Sequence, residues 1–109
     1  MPIDITANVA AIDGDHLDRA TFGDVLLQRE LLAMFRKQVG EARWSLPASR
    51  GAERVQVAHA LKGAARGLGA FALAQCAADI ERSPEDDTLL ERFTELADEV
   101  DGFIAAREG

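Results

Sequence analysis

The sequence has little of what strands, disulfides and membrane spans require. Its 109 residues include no tyrosine, one cysteine and three prolines. β-Branched residues are sparse and scattered, so no segment shows the alternation typical of a β-strand. The single cysteine, Cys76, excludes an internal disulfide and leaves a zinc site without a second thiol. Its apolar neighbours indicate a small, buried core residue.

Long apolar runs are also absent. No segment approaches the roughly 20 apolar residues that a membrane-spanning helix needs. The first eleven residues contain no basic region followed by a long apolar stretch, so they do not resemble a secretion signal. We therefore expect a cytoplasmic protein that does not enter a membrane.

The net charge of -7 argues against nucleic acid as a partner, because a phosphate backbone would repel most of this surface. Residues 50–66 are the exception, since they carry four basic side chains and one acidic one. His59 lies within this stretch. The basic side chains are Arg50, Arg54, Lys62 and Arg66.

Alanine, leucine, glutamate, arginine and aspartate dominate the composition, which favours helices. A short leading helix is predicted over His16–Phe22, and its Leu17, Ala20 and Phe22 are expected to close one end of a core. Apolar residues spaced three and four apart predict a long helix from Asp24. Because Pro47 disfavours helix at the residue before it, this helix is expected to end near Trp44 to Leu46.

Three more helices are predicted over 52–68, 70–82 and 87–107, separated by Gly67 and Gly69 and by a Ser-Pro turn. Short connections between amphipathic helices indicate an all-α, up-and-down four-helix bundle with a short additional N-terminal helix. The chain is too short for two domains, so residues 1–109 are expected to form one domain, with the bundle over about 13–107.

Several chemically suggestive residues have simpler interpretations. Met34, Phe35 and Trp44 occur at helical spacing and are expected in the core. The acidic run at residues 85–87 is expected to favour the dipole at a helix start. His16, beside the first helix cap, is interpreted as a surface residue.

The second long helix carries the informative residues. At about 100° per residue, His59 lies roughly opposite a side that is expected to be buried. That side carries Val57, Ala58, Leu61, Ala65 and Leu68. The residues expected around His59 on the exposed side are Lys62, Gly63, Arg66, Ala52, Val55 and Ala60.

This combination suits phosphoryl transfer. A neutral imidazole is a competent nucleophile near neutral pH. Lys62 is placed to attract phosphoryl oxygens, and Arg66 can add positive field where negative charge accumulates. Gly63 costs about 1 kcal/mol in an exposed helix, but its missing side chain lets another molecule approach His59 closely.

The run from His59 to Gly69 resembles the signature of histidine phosphotransfer (HPt) domains of bacterial phosphorelays. In that signature the phosphoacceptor is followed by an apolar residue, Lys-Gly, two small residues and a later glycine. Ala64 and Ala65 stand where many members carry serine, which removes a hydroxyl contact to the phosphate. With the preceding long helix, the resemblance spans roughly residues 13–106. The matching residues are His59, Leu61, Lys62, Gly63, Ala64, Ala65, Leu68 and Gly69.

The resemblance implies a four-helix bundle that takes a phosphoryl group from the aspartyl phosphate of one response-regulator receiver domain and relays it to another. A sensor histidine kinase, hybrid or not, is implied upstream. The chain is then a phosphotransfer intermediate and not an enzyme, because catalysis is shared with the receiver. No cofactor or metal is expected on this chain, and the magnesium ion is expected in the receiver. We expect a monomer.

Two other classes of function compete with this interpretation. A non-catalytic adaptor would dock on a kinase or receiver through Ala52, Val55, Ala60 and Gly63 without carrying phosphate, but it would not need His59. A helical metalloprotein would need several inward ligands, and two distant histidines with one cysteine supply no convincing set.

Overall fold

The computed structural model describes residues 10–108, and these residues form five helices and no strand. Residues 1–9, most of the segment tested for a secretion signal, lie outside the described residues. The helices are α1 (Gly14–Ala20), α2 (Val25–Ala48), α3 (Gly51–Leu68), α4 (Phe71–Arg82) and α5 (Thr88–Glu108).

The four long helices form a closed ring in which each contacts two others. Helix α2 packs against α3 and α5, and α4 packs against the same two helices from the other side. The connections between successive long helices are short, so the helices alternate in direction. The predicted all-α, up-and-down four-helix bundle with a short leading helix is therefore confirmed.

The core is one apolar cluster to which every helix contributes. Cys76 is fully buried within it, as the sequence predicts. The largest fully buried apolar side chains are Phe93, Ile12, Leu17, Leu46, Leu61, Leu73, Ile80 and Ile104.

The corner between α1 and α2 differs from the prediction. The side chain of Asp13 caps α1, which ends at Ala20, so the helix lies two residues earlier than expected. Of the three residues expected to close the core, only Leu17 is buried, and Ala20 is exposed. Phe22 is 94% exposed and has a positive φ of 54°. Thr21 is buried instead, where its hydroxyl donates to the Leu17 carbonyl and accepts from the Gln28 amide. These hydrogen bonds hold the corner with Phe22 directed outward.

Helix α2 continues past the expected stop and includes Pro47 in its last turn. Leu46 remains helical because it is fully buried in the core, and this burial outweighs the restriction that the following proline imposes. Ser49 completes the end of the helix, since its backbone N–H and its hydroxyl both donate to the Ser45 carbonyl, at 3.0 and 2.6 Å.

The corner between α3 and α4 requires a glycine. Gly69 ends α3 in the left-handed region, with φ 89°. A Cβ at this position would lie 3.1 Å from the Asp13 carbonyl oxygen and 3.2 Å from the His16 side chain. The Asp13 N–H donates to the Gly69 carbonyl at 2.9 Å, so α1 is seated directly on this corner.

None of the helices within residues 10–108 combines the length and apolarity needed to cross a bilayer.

Candidate functional site around His59

Helix α3 presents His59 to solvent near the middle of its length. Its buried side contains Ala58, Leu61 and Ala65, together with one charged residue, Arg54. The imidazole of His59 is 71% exposed, as expected from the helical wheel.

A single carboxylate on α4 contacts both the histidine and the lysine of the site. Glu81 Oε2 lies 3.2 Å from His59 Nδ1, and Glu81 Oε1 lies 2.6 Å from Lys62 Nζ. Glu81 and Lys62 are both partly buried between α3 and α4. The carboxylate therefore fixes one edge of the imidazole and leaves the other edge to solvent.

The charge of Glu81 determines which ring nitrogen is free. Lys62 is the main cause of a lowered pKa at Glu81; burial opposes this shift, and His59 adds to the lowering. The carboxylate is consequently ionised at neutral pH and can only accept hydrogen bonds. The neutral imidazole then carries its proton on Nδ1, donating to Glu81, and keeps its lone pair on Nε2.

Glu81 was not among the residues predicted from the sequence. It lies 22 residues from His59 and looks like one of several polar residues on α4. A usable signal was the short corner at Gly69, because an antiparallel hairpin that turns there places the turn with His59 and Lys62 opposite the C-terminal half of α4. The side of α4 that faces Lys62 depends on the packing between the two helices.

The basic stretch predicted around His59 divides into separate environments. Arg54 is buried away from the site, where Nε donates to the Ser49 carbonyl and Nη1 donates to the Pro84 carbonyl. Lys62 is engaged by Glu81, whereas Arg66 is exposed on the same outward side as His59, two helical turns further on. The positive field available to an approaching anion is therefore smaller than the sequence suggests.

Small side chains leave space around the imidazole. Gly63 is exposed, and apart from its chain neighbours and the adjacent backbone of its own helix, a Cβ built at this position would meet no atom within 4 Å. Ala52 and Ala60 are also exposed, and Val55 is half-buried. The four residues predicted for docking thus lie on the outer part of α3.

His16 is not the free surface residue that the sequence suggests. It is half-buried, its Nε2 lies 3.1 Å from the Gly67 carbonyl oxygen, and its ring meets Phe71 edge to face at 5.1 Å. These contacts attach α1 to the corner between α3 and α4. His16 therefore stabilises the fold at this corner, with Nε2 occupied.

Three further expectations concern acidic, aromatic and metal-binding residues. Asp86 accepts from the Thr88 N–H at 3.0 Å at the start of α5, in keeping with the role expected for the acidic run. Phe35 is buried as predicted, but Met34 and Trp44 are exposed, so their assignment to the core is wrong. Within residues 10–108, no three histidine, cysteine or carboxylate side chains are grouped as metal ligands would be.

Comparison with known proteins identifies the family. A family model described as the Hpt domain matches residues 27–106, which is most of the chain and includes α3 and α4. Neither the curated proteins nor the solved structures contain a significant match. Members of this family carry phosphoryl groups on histidine in phosphorelays and interact with kinases and receiver domains. This chain belongs to the Hpt domain family.

Proposed function

We propose that His59 accepts a phosphoryl group on Nε2 from the aspartyl phosphate of a receiver domain and passes it to a second receiver domain. The observation that carries this proposal is the hydrogen bond between His59 Nδ1 and Glu81 on an imidazole that is 71% exposed. The hydrogen bond leaves the lone pair of Nε2 free to act as the nucleophile, and the exposure of the ring leaves that nitrogen accessible to the receiver.

The transfer balances without an added base. The lone pair of Nε2 forms the N–P bond, while the P–O bond of the aspartyl phosphate breaks and its electron pair leaves on the carboxylate. The imidazole keeps its Nδ1 proton and becomes positively charged. Glu81 stabilises that charge through the hydrogen bond already present.

Lys62 is assigned two roles in this proposal. In the unphosphorylated protein it holds Glu81 through the 2.6 Å contact and so orients His59 indirectly. Rotation of its flexible side chain would bring the ammonium towards the phosphoryl oxygens once they arrive. Arg66, exposed on the same side, adds positive field as the second cation.

The partner supplies what this chain is proposed to lack. We assign the aspartate and the magnesium ion to the receiver, and describe this chain as a carrier and not an enzyme, located in the cytoplasm. The receiver is proposed to dock over Ala52, Val55, Ala60 and Gly63.

A panel of phosphorylated receiver domains, incubated with the whole chain, tests this proposal: label should move to the chain from at least one receiver. A chain that binds receivers but takes label from none would instead be the non-catalytic adaptor.

Replacing Glu81 with alanine should slow phosphotransfer by about tenfold or more, because the imidazole loses both its orientation and its fixed tautomer. Glu81→Gln should transfer phosphate at a rate between those of the wild type and Glu81→Ala, since glutamine keeps a hydrogen-bond acceptor but not the negative charge. Imidazole ¹⁵N shifts should show the Nδ1-protonated form of His59 decreasing in Glu81→Ala. Asp79→Ala is the matched control on α4, because Asp79 pairs with Arg82 and Arg92 instead. Unchanged ¹⁵N shifts in Glu81→Ala would contradict the positioning role.

Substitutions at Gly63 should separate stability from activity. Gly63→Ala is expected to stabilise the fold by up to about 1 kcal/mol, because the added Cβ meets nothing and alanine favours helix. Gly63→Gln should also fold, but its side chain would occupy the space through which the receiver approaches, lowering the transfer rate by about tenfold or more. Thermal unfolding and label transfer measure the two effects. Wild-type transfer by Gly63→Gln would refute the clearance argument.

A further inference from the structure

One face of α2 is left without a partner in the bundle. Met34 is 68% exposed and Trp44 is 81% exposed, although both side chains are large and apolar. Lys37 and Glu41 lie between them, are also exposed, and form no ion pair with another residue in the described part of the chain. At about 100° per residue, these four residues fall within about 80° of one another, opposite the buried side of α2.

The order of these residues is self-complementary. Along α2 the face reads apolar, cation, anion, apolar, with spacings of three, four and three residues. If a second copy of α2 lies against it in the opposite direction, with the two-fold axis near Val39, Met34 meets Trp44 of the other copy. Lys37 then meets Glu41 of the other copy. Symmetry repeats both contacts, which is the pattern of an isologous two-fold interface.

We propose that this face, Met34–Lys37–Glu41–Trp44, is a contact between two copies of the chain. Trp44 is the expected centre of the binding energy, because exposed tryptophan is costly in water and tryptophan dominates many interfaces. The reciprocal Lys37–Glu41 pairs fix the antiparallel register. The sequence alone predicts a monomer, and this proposal replaces that expectation.

The contact is small, so the association is weak. The four residues span about 15 Å of helix, which suits one helix crossing and buries less than about 1,200 Å² in total. We expect both monomer and dimer to be populated at roughly tens to hundreds of micromolar. Because α2 uses the side away from α3 and α5, His59 remains accessible in the dimer.

Charge exchange tests the register directly. Sedimentation equilibrium of the whole chain should show a mass that rises with concentration from 11.7 kDa towards twice that value. Lys37→Glu alone, or Glu41→Lys alone, should weaken association about tenfold or more, because each places like charges opposite one another. An equimolar mixture of the two variants should restore association, as should the double variant Lys37→Glu/Glu41→Lys.

Two controls separate this proposal from others. Arg29→Glu makes the same change in charge on α2 but lies off the face, so it should leave the association constant unchanged. Lys37→Glu should transfer phosphate at the wild-type rate, which separates this contact from the proposed phosphotransfer function.

A wild-type chain that stays at 11.7 kDa at about 1 mM would overturn the proposal. So would a mixture of Lys37→Glu and Glu41→Lys that fails to restore association. So would loss of transfer in Lys37→Glu with unchanged association, because it would assign the face to the receiver.

Discussion

Replacing His59 with glutamine is expected to abolish transfer of label from a phosphorylated receiver domain. Glutamine has no ring nitrogen to form the N–P bond, whereas its amide can still reach Glu81. The fold should survive, because the His59 side chain is exposed and lies outside the core. Circular dichroism and the Tm should therefore match those of the wild type.

Lys62→Ala provides the contrast in the same assay. It should slow transfer by about ten- to hundredfold without abolishing it, because the ammonium stabilises charge but forms no bond to phosphorus. Arg66 retains part of the positive field. If folded His59→Gln kept its label, the phosphoacceptor would lie elsewhere, with His16 the next histidine to test.

Replacing Arg54 with alanine should destabilise the protein by about 3 kcal/mol. Its side chain is 7% exposed, and the guanidinium joins the start of α3 to the connection between α4 and α5. Nε donates to the Ser49 carbonyl at 2.9 Å and Nη1 to the Pro84 carbonyl at 2.7 Å. Removal leaves both acceptors without these donors, so the Tm should fall by roughly 10–20 °C.

Neighbouring substitutions provide the controls for Arg54. Asp87→Ala removes only an exposed carboxylate, whose Oδ1 lies 3.4 Å from Arg54 Nη1. It should lower the free energy of unfolding by no more than about 1 kcal/mol. Arg50→Ala removes an exposed side chain four residues before Arg54 and should leave the free energy of unfolding nearly unchanged. A Tm for Arg54→Ala equal to that of Arg50→Ala would show that these hydrogen bonds contribute nothing net.

The sequence predicted those elements whose signals are local. Helix α3 begins one residue before its predicted start and ends at the predicted residue, because Gly69 imposes the stop. The exposure of His59 followed from the same helical periodicity. The prediction of Cys76 in the core also held, since its apolar neighbours Leu73, Ala74 and Ala77 are buried with it.

The failures share a physical cause, which is that periodicity shows which residues are apolar but not which of them the bundle covers. Helix α2 carries more apolar residues than its contacts with α3 and α5 can bury, so Met34 and Trp44 remain exposed. Phe22 is directed outward because buried hydrogen bonds of Thr21 fix the corner. Glu81 was missed because its contact with His59 depends on how α3 and α4 pack.

The most direct test of the account is to locate the phosphoryl group after transfer from a receiver domain. Peptide mapping and imidazole ¹⁵N NMR of the labelled chain identify the residue and the ring nitrogen together. We predict a base-stable, acid-labile label on Nε2 of His59, with the Nδ1 proton retained next to Glu81. Label on Nδ1, on His16 or on a residue other than histidine would contradict the account.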